Sequence, residues 1–256
     1  MGCLGSRSDF KYEDEELLMT QLGLNLGYSN LDAFQIDRIF HRFSTNSKMT
    51  AAQFSKALSE LKLPFEGFEN LYKKFCIGSS YKMIHLCTTG IILTNSSIEN
   101  KLKLIFQNYD FDVSGSLSID EISEMIKDIT IMACEYIPQF VASGNIKNEK
   151  LLEYTKGLIE VRKSITSQLI DTCMEDKRII SLEEFKGAFL HNDGLGELLN
   201  FSRLRIYCMK IHDKYIKKIE CAIKALECNE NFEEFQSFSH SPKKRRVSKT
   251  VQTLPY

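Results

Sequence analysis

Twelve residues, Asp110 to Glu121, read DFDVSGSLSIDE and place oxygen-bearing side chains at Asp110, Asp112, Ser114 and Ser118, closing on Glu121. That spacing suits a hard dication of calcium's size, which takes roughly six to eight oxygen ligands at flexible distances. Asp110 and Asp112 would each give one carboxylate oxygen, Ser114 its hydroxyl, Ser116 its backbone carbonyl, Ser118 a water-mediated contact and Glu121 both carboxylate oxygens. Gly115, sixth in the run, permits the sharp turn between the two halves, because glycine takes φ > 0 without steric cost. With only three acidic ligands, the run predicts Ca2+ binding in the micromolar range. Weak or magnesium-occupied binding is the alternative, and a metal-free Asp/Ser surface turn is the plainest one.

Such a loop needs a helix at each end. Before it, Ile98, Leu102, Ile105, Phe106 and Tyr109 recur at helical spacing; after it, Ile122, Met125, Ile126, Ile129, Met132 and Ala133 do the same. Ser118 and Glu121 form an S-x-x-E capping box that starts the second helix. The same pattern of apolar residue, cap and apolar face recurs as ISLEEFKGAF from Ile180 and MTAAQFSKAL from Met49, the signature of a repeated unit. Upstream of Met49, HRFSTNSK carries no acidic residue and Gln53 stands where the closing glutamate would be, so this copy is expected to bind no metal. Upstream of Ile180, counting back from Glu184 puts Cys173, Glu175 and Lys177 at the first, third and fifth positions and Arg178 at the glycine position. Lys177 and Arg178 would repel a dication. This copy is expected to be structural, with Ile180 beside Leu117 in a short two-stranded contact. Pairing parity predicts a fourth unit, with an entering helix near Phe68 to Phe75 and a degraded loop from Gly78 to Met83.

Four such units behind an acylatable N-terminus, with KLKLIFQNYDFDVSG entering the third, resemble the neuronal calcium sensor, calcineurin B and calcineurin-B-like family of EF-hand proteins over about residues 10–200. The resemblance implies two EF-hand lobes facing one another, a hydrophobic groove that takes a helix from a target enzyme or channel, and no catalysis. The family's calcium ligands carry over only to Asp110, Asp112, Ser114, Ser116, Ser118 and Glu121. The sequence departs from the family in having no intact second or fourth loop, and in a longer spacing from Glu121 to Glu184. The extra segment, Pro138 to Lys156, is expected to be an exposed loop with its own short helix.

The 256 residues are 43% hydrophobic with a formal net charge of −1, ordinary for a globular chain with a real core. The charge balance predicts no overall pull toward nucleic acid. Eight cysteines form no C-x-x-C pair and no zinc spacing with histidine, and read as reduced thiols in a cytoplasmic protein. No apolar run approaches the ~18 residues that cross a bilayer. The start, MGCLGS, fits acylation of Gly2, with Cys3 beside it for palmitoylation; one acyl chain anchors marginally and two hold. An unmodified N-terminus is the plain alternative.

From Leu204, the positions Cys208, Ile211, Tyr215, Ile219, Ala222 and Leu226 step by three and four. Arg203, Arg205, Lys210, Lys214, Lys217, Lys218 and Lys224 occupy the other faces against only Asp213 and Glu220. The helix is expected to complete the core, to fill the chain's own groove, to dock on a partner or coiled coil, or to lie on an anionic membrane. Beyond it, SPKKRRVSKT combines a basic run with a kinase-type R-R-x-S site at Ser248. The favoured reading is an anionic-lipid contact weakened by phosphorylation; nuclear import and a solvated tail compete with it.

The fold expected is all-α, a four-EF-hand array in two lobes with one intact loop. Its segments are 1–14, acylatable; 15–97, a degenerate pair; 98–196, a pair with the insertion at 138–156; 197–230, an amphipathic helix; and 231–256, a disordered basic tail. The function expected is a non-enzymatic, membrane-associated calcium adaptor that binds a target helix. A calcium-insensitive structural subunit is the alternative. No nucleophile-base motif or phosphate-cradling loop supports catalysis.

Overall fold

A computed structural model describes residues 11–239, with side chains through 224. Gly2 and Cys3, expected to be acylated, the basic run and Ser248 lie outside the described residues. Helices predominate, as the apolar periodicity requires. Contacts group the chain into one unit through His212 and a second from Asp213 onward.

In the first unit, α1 (Glu13–Asn25) precedes two helix-loop-helix pairs. The first pair joins α2 (Ala33–Phe43), β1 (Lys48–Thr50) and α3 (Ala51–Leu61) to α4 (Glu69–Tyr72), β2 (Cys76–Ile77), β3 (Ser80–Lys82) and α5 (Met83–Leu93). β1 and β3 are antiparallel, with Met49 opposite Tyr81, and both side chains are buried. The second pair joins α6 (Ile98–Tyr109), β4 (Ser116–Ser118) and α7 (Ile119–Ile131) to α9 (Glu149–Met174), β5 (Ile179–Ser181) and α10 (Leu182–His191). β4 and β5 are antiparallel with Leu117 opposite Ile180, the register expected from the repeat, and both residues are almost fully buried. Capping boxes start three of these exit helices: Thr50 with Gln53, Ser118 with Glu121 and Ser181 with Glu184.

Two expectations need correction. The segment 138–156 has the short helix expected of it but is not an exposed loop. After α7, a π turn (Met132–Tyr136) leads without a break into α8 (Ile137–Gly144), and only 145–148 separates α8 from α9. The cause is Pro138, which has no N–H and clashes with the carbonyl four residues back; one wider turn before it lets the helix run on instead of ending. Val141, Ala142, Leu151 and Tyr154 are buried, so the insertion contributes to the core.

Met125, Ile129 and Met132, expected to form the groove that ion binding exposes, are buried, and α7 packs closely along α9. Second, α11 (Asp193–Gly196) and a 3-10 turn at Glu197–Leu199 lead into the C-terminal helix α12 (Phe201–Ser239), which runs past the boundary expected at 230. Its first turns bury Phe201, Leu204, Cys208 and Met209. Arg205 leaves the basic face altogether. It is 2% exposed, its guanidinium forms a two-point salt bridge to Glu16 of α1 (Nε to Oε2 2.9 Å), and the Tyr154 hydroxyl of α9 donates to the same carboxylate at 2.8 Å. Removing one partner of a buried pair such as this costs about 3–5 kcal/mol.

Candidate metal centre

α6 ends at Tyr109 and α7 begins at Ile119, so the two helices hold the ends of the acidic run and its six predicted ligand positions lie between them and in the first turn of α7. Carboxylate oxygens of Asp110, Asp112 and Glu121 lie within 4.8 Å of one another. The backbone explains why. Gly115 has φ +76° and Val113 φ +56°, two left-handed residues that curl the chain back over the carboxylates. No atom lies within 4 Å of where a Gly115 Cβ would sit, so it is φ rather than crowding that calls for glycine. Val113, β-branched and almost fully exposed, is in a conformation unfavourable for its type.

Local hydrogen bonds orient the oxygens inward. The Ser114 amide donates to Asp110 Oδ1 at 2.9 Å and to Asp112 Oδ1 at 3.1 Å, and the Gly115 amide donates to Asp110 Oδ2 at 3.0 Å. The Ser114 hydroxyl donates to the Ser116 carbonyl at 3.0 Å and lies 3.4 Å from Asp110 Oδ1. Glu121 closes the ring: Oε1 accepts the Phe111 amide at 2.9 Å, and Oε2 accepts the amide and hydroxyl of Ser118, both at 2.8 Å. Hydrogen bonds from Ser114, its side chain first, hold the Asp112 carboxyl below its ordinary pKa. Three carboxylates gathered this closely could hold a hard divalent cation. All six predicted positions fall in this one loop; the Ser118 hydroxyl is engaged by Glu121 rather than aimed at the centre.

The paired loop is built on the same cap and carries a different charge. Lys177 Nζ donates to Glu184 Oε1 at 3.0 Å, while Ser181 donates amide and hydroxyl to Oε2 at 2.8 and 2.9 Å. The Ser181 amide, with Lys177 next, pulls the Glu184 carboxyl down to about 2. Cys173 is still inside α9, and burial pushes its thiol up to about 12, so no thiolate is on offer at the first position. In the Met49 unit, Gln53 Oε1 accepts the Thr50 amide at 2.8 Å and its Nε2 lies 3.4 Å from Thr45 Oγ1, spending the amide on the cap.

Sequence reasoning missed a second group. His85 of α5 places Nε2 2.5 Å from Asp128 Oδ2 on α7; the Tyr109 hydroxyl donates to that oxygen at 2.9 Å. Glu124, one turn before Asp128, completes a cluster within 4.8 Å, and Lys82 Nζ lies 3.9 Å from its carboxylate and 3.4 Å from the imidazole. His85 of α5 and Asp128 of α7 thus form a polar tie between the two helices. Further along the same continuous helix, Lys74 Nζ donates to Gln139 at 2.7 Å, and the Phe75–Tyr136 and Phe68–Phe140 rings meet at 6.2 and 6.1 Å. Nothing in the sequence announces these contacts, which join residues far apart along the chain.

No protein-family model matches the chain, and no curated protein matches its sequence.

Proposed function

We propose that this chain is a one-site EF-hand calcium adaptor, not an enzyme, that regulates a target protein by presenting apolar surface to a helix of that target. The observation that carries the reading is the convergence of the Asp110, Asp112 and Glu121 carboxylates in a loop that is flanked by helices and strand-paired to a second helix-loop-helix unit. The four units are read as EF-hands in two pairs, only the third of which keeps a calcium-binding loop. The adaptor acts in the cytoplasm, at a membrane where acylated.

Bound calcium would neutralise the three carboxylates and draw Glu121, at the N-terminus of α7, into the coordination shell. Glu121 sits three residues before Glu124 and seven before Asp128, so a shift of α7 is felt at the His85 tie, and through Tyr136 and Phe140 at the first helix pair. Met125, Ile129 and Met132, buried on the same helix, supply the apolar surface that opening uncovers.

A second reading, a calcium-insensitive docking subunit, is favoured by that burial and by the Lys177 ammonium standing against Glu184 in the partner loop. Calorimetric titration with Ca2+ in a magnesium background separates the two. One micromolar site, absent in Glu121→Gln and accompanied by new binding of a hydrophobic dye, is the expected result. Heat that persists in Glu121→Gln overturns the assignment of the loop, and binding without dye uptake leaves the docking subunit.

A further inference from the structure

The second unit of the chain has an apolar face that is exposed among the described residues. Tyr215, Ile216, Ile219 and Ile223 of α12 are 62%, 38%, 38% and 48% exposed. Each helical residue turns the chain by about 100°, so these four side chains share one arc of about 100°. Lys210, Lys214, Lys217, Lys218 and Lys224, all exposed, fall on the remaining faces. Against Asp213 and Glu220 they leave an excess of three positive charges over four turns.

We propose that residues 210–224 lie flat on an anionic phospholipid surface, with the isoleucines and Tyr215 in the acyl boundary and the lysines among the headgroups. Charge decides the occupant. An apolar arc bordered by lysine matches a negatively charged interface, where lysine stems extend along the apolar layer and their ammonium groups reach the phosphates. Tyrosine suits the same boundary, having an apolar ring and a polar tip. A second copy of this chain fits less well: an a/d seam of Ile216, Ile219 and Ile223 is far short of the three to four heptads, roughly, that mark a coiled coil. The inference extends the membrane part of the proposed function and is independent of calcium.

The chain contains no tryptophan, which supplies a clean probe. Full-length, non-acylated Ile223→Trp protein is mixed with phosphatidylcholine vesicles with and without phosphatidylserine, in calcium and in chelator. Expected are a blue shift and co-flotation with the phosphatidylserine vesicles only, reversed by high salt, and no blue shift from Lys217→Trp on the opposite face. Lys214→Gln with Lys218→Gln lowers partitioning about 25-fold, at about fivefold per lysine. Three results overturn the inference: no binding to either vesicle; binding that survives these lysine changes but is lost on neutralising Lys243 to Arg246; or an Ile223→Trp shift that follows protein concentration rather than lipid, which marks self-association. Because calcium titration is read on the same samples, lost vesicle binding with intact calcium binding counts against this inference alone.

Discussion

The loops at 110–121 and 173–184 face one another across two hydrogen-bonded strands and share a cap. In each, a serine hydroxyl and amide meet a glutamate three residues on, and an apolar residue, Leu117 or Ile180, fills the same buried seam. They differ at the centre. The first gathers three carboxylates, to which, among the described residues, no lysine or arginine forms a salt bridge; the second gives its one closing carboxylate an internal ammonium, Lys177. The shared frame therefore does not depend on the charge at the centre, since the seam needs only apolar side chains while ion binding needs uncompensated oxygens. One loop holds its carboxylates without an ammonium partner among the described residues, and the other carries its own.

Four measurements would break or sharpen that contrast. The largest effect belongs to the shared seam. Leu117→Ala should destabilise the protein by about 2–5 kcal/mol in urea unfolding, as for a buried leucine. It should also weaken calcium binding, because β4 positions Ser116 and Ser118; an unchanged midpoint would mean that the strands do not support each other.

Glu121→Gln comes next. At a calcium concentration of about 100 Kd, the ion should stabilise the native protein by about 2.7 kcal/mol, seen as a rise in Tm over chelator, and the variant should lose that rise. The matching change Glu184→Gln should leave the calcium-dependent rise intact. If both variants lose it, the loops are not distinct.

Val113→Asn is smaller. A left-handed residue other than glycine costs about 1–2 kcal/mol, and asparagine tolerates that region better, so chelator-treated protein should gain up to about 1 kcal/mol. No gain would mean that the left-handed turn carries no strain.

The smallest effect is the acid response of the paired loop. Glu184 has its folded pKa lowered, so its contribution is present above the ordinary carboxylate value of 4.5 and disappears as pH falls through about 2. Lys177→Met should flatten the stability change between those pH values, followed by circular dichroism. The same variant should still bind no second calcium, since Cys173 remains within α9.

Much of the candidate site was legible because its parts are local. Ligand spacing, the glycine, the capping box and the helical stripes on either side all fall within about forty residues, and each follows from backbone geometry. The Leu117–Ile180 register was legible for a related reason: the repeated unit marks the same position in both copies. The long spacing from Glu121 to Glu184 suggests an exposed loop, but spacing counts residues without saying how they fold. A proline inside an apolar stripe ordinarily ends a helix, and only the π turn before it, set by packing of both flanking segments, carries the helix through to Gly144.

Taken alone, the sequence determines which loop has the acidic oxygens at the spacing a cation needs and which carries Lys177 there, because charge and spacing are properties of the chain itself. Tertiary structure alone decided where the long-range partners lie. Arg205 reads as one more base on a helix face until Glu16 and Tyr154 close around it; His85 has no evident role until Asp128 arrives from another helix; and Met125 is one residue of an apolar stripe until α9 packs along α7. A buried charge or an apolar stripe acquires its meaning from what covers it, and residues distant in sequence supply that cover only when the chain folds.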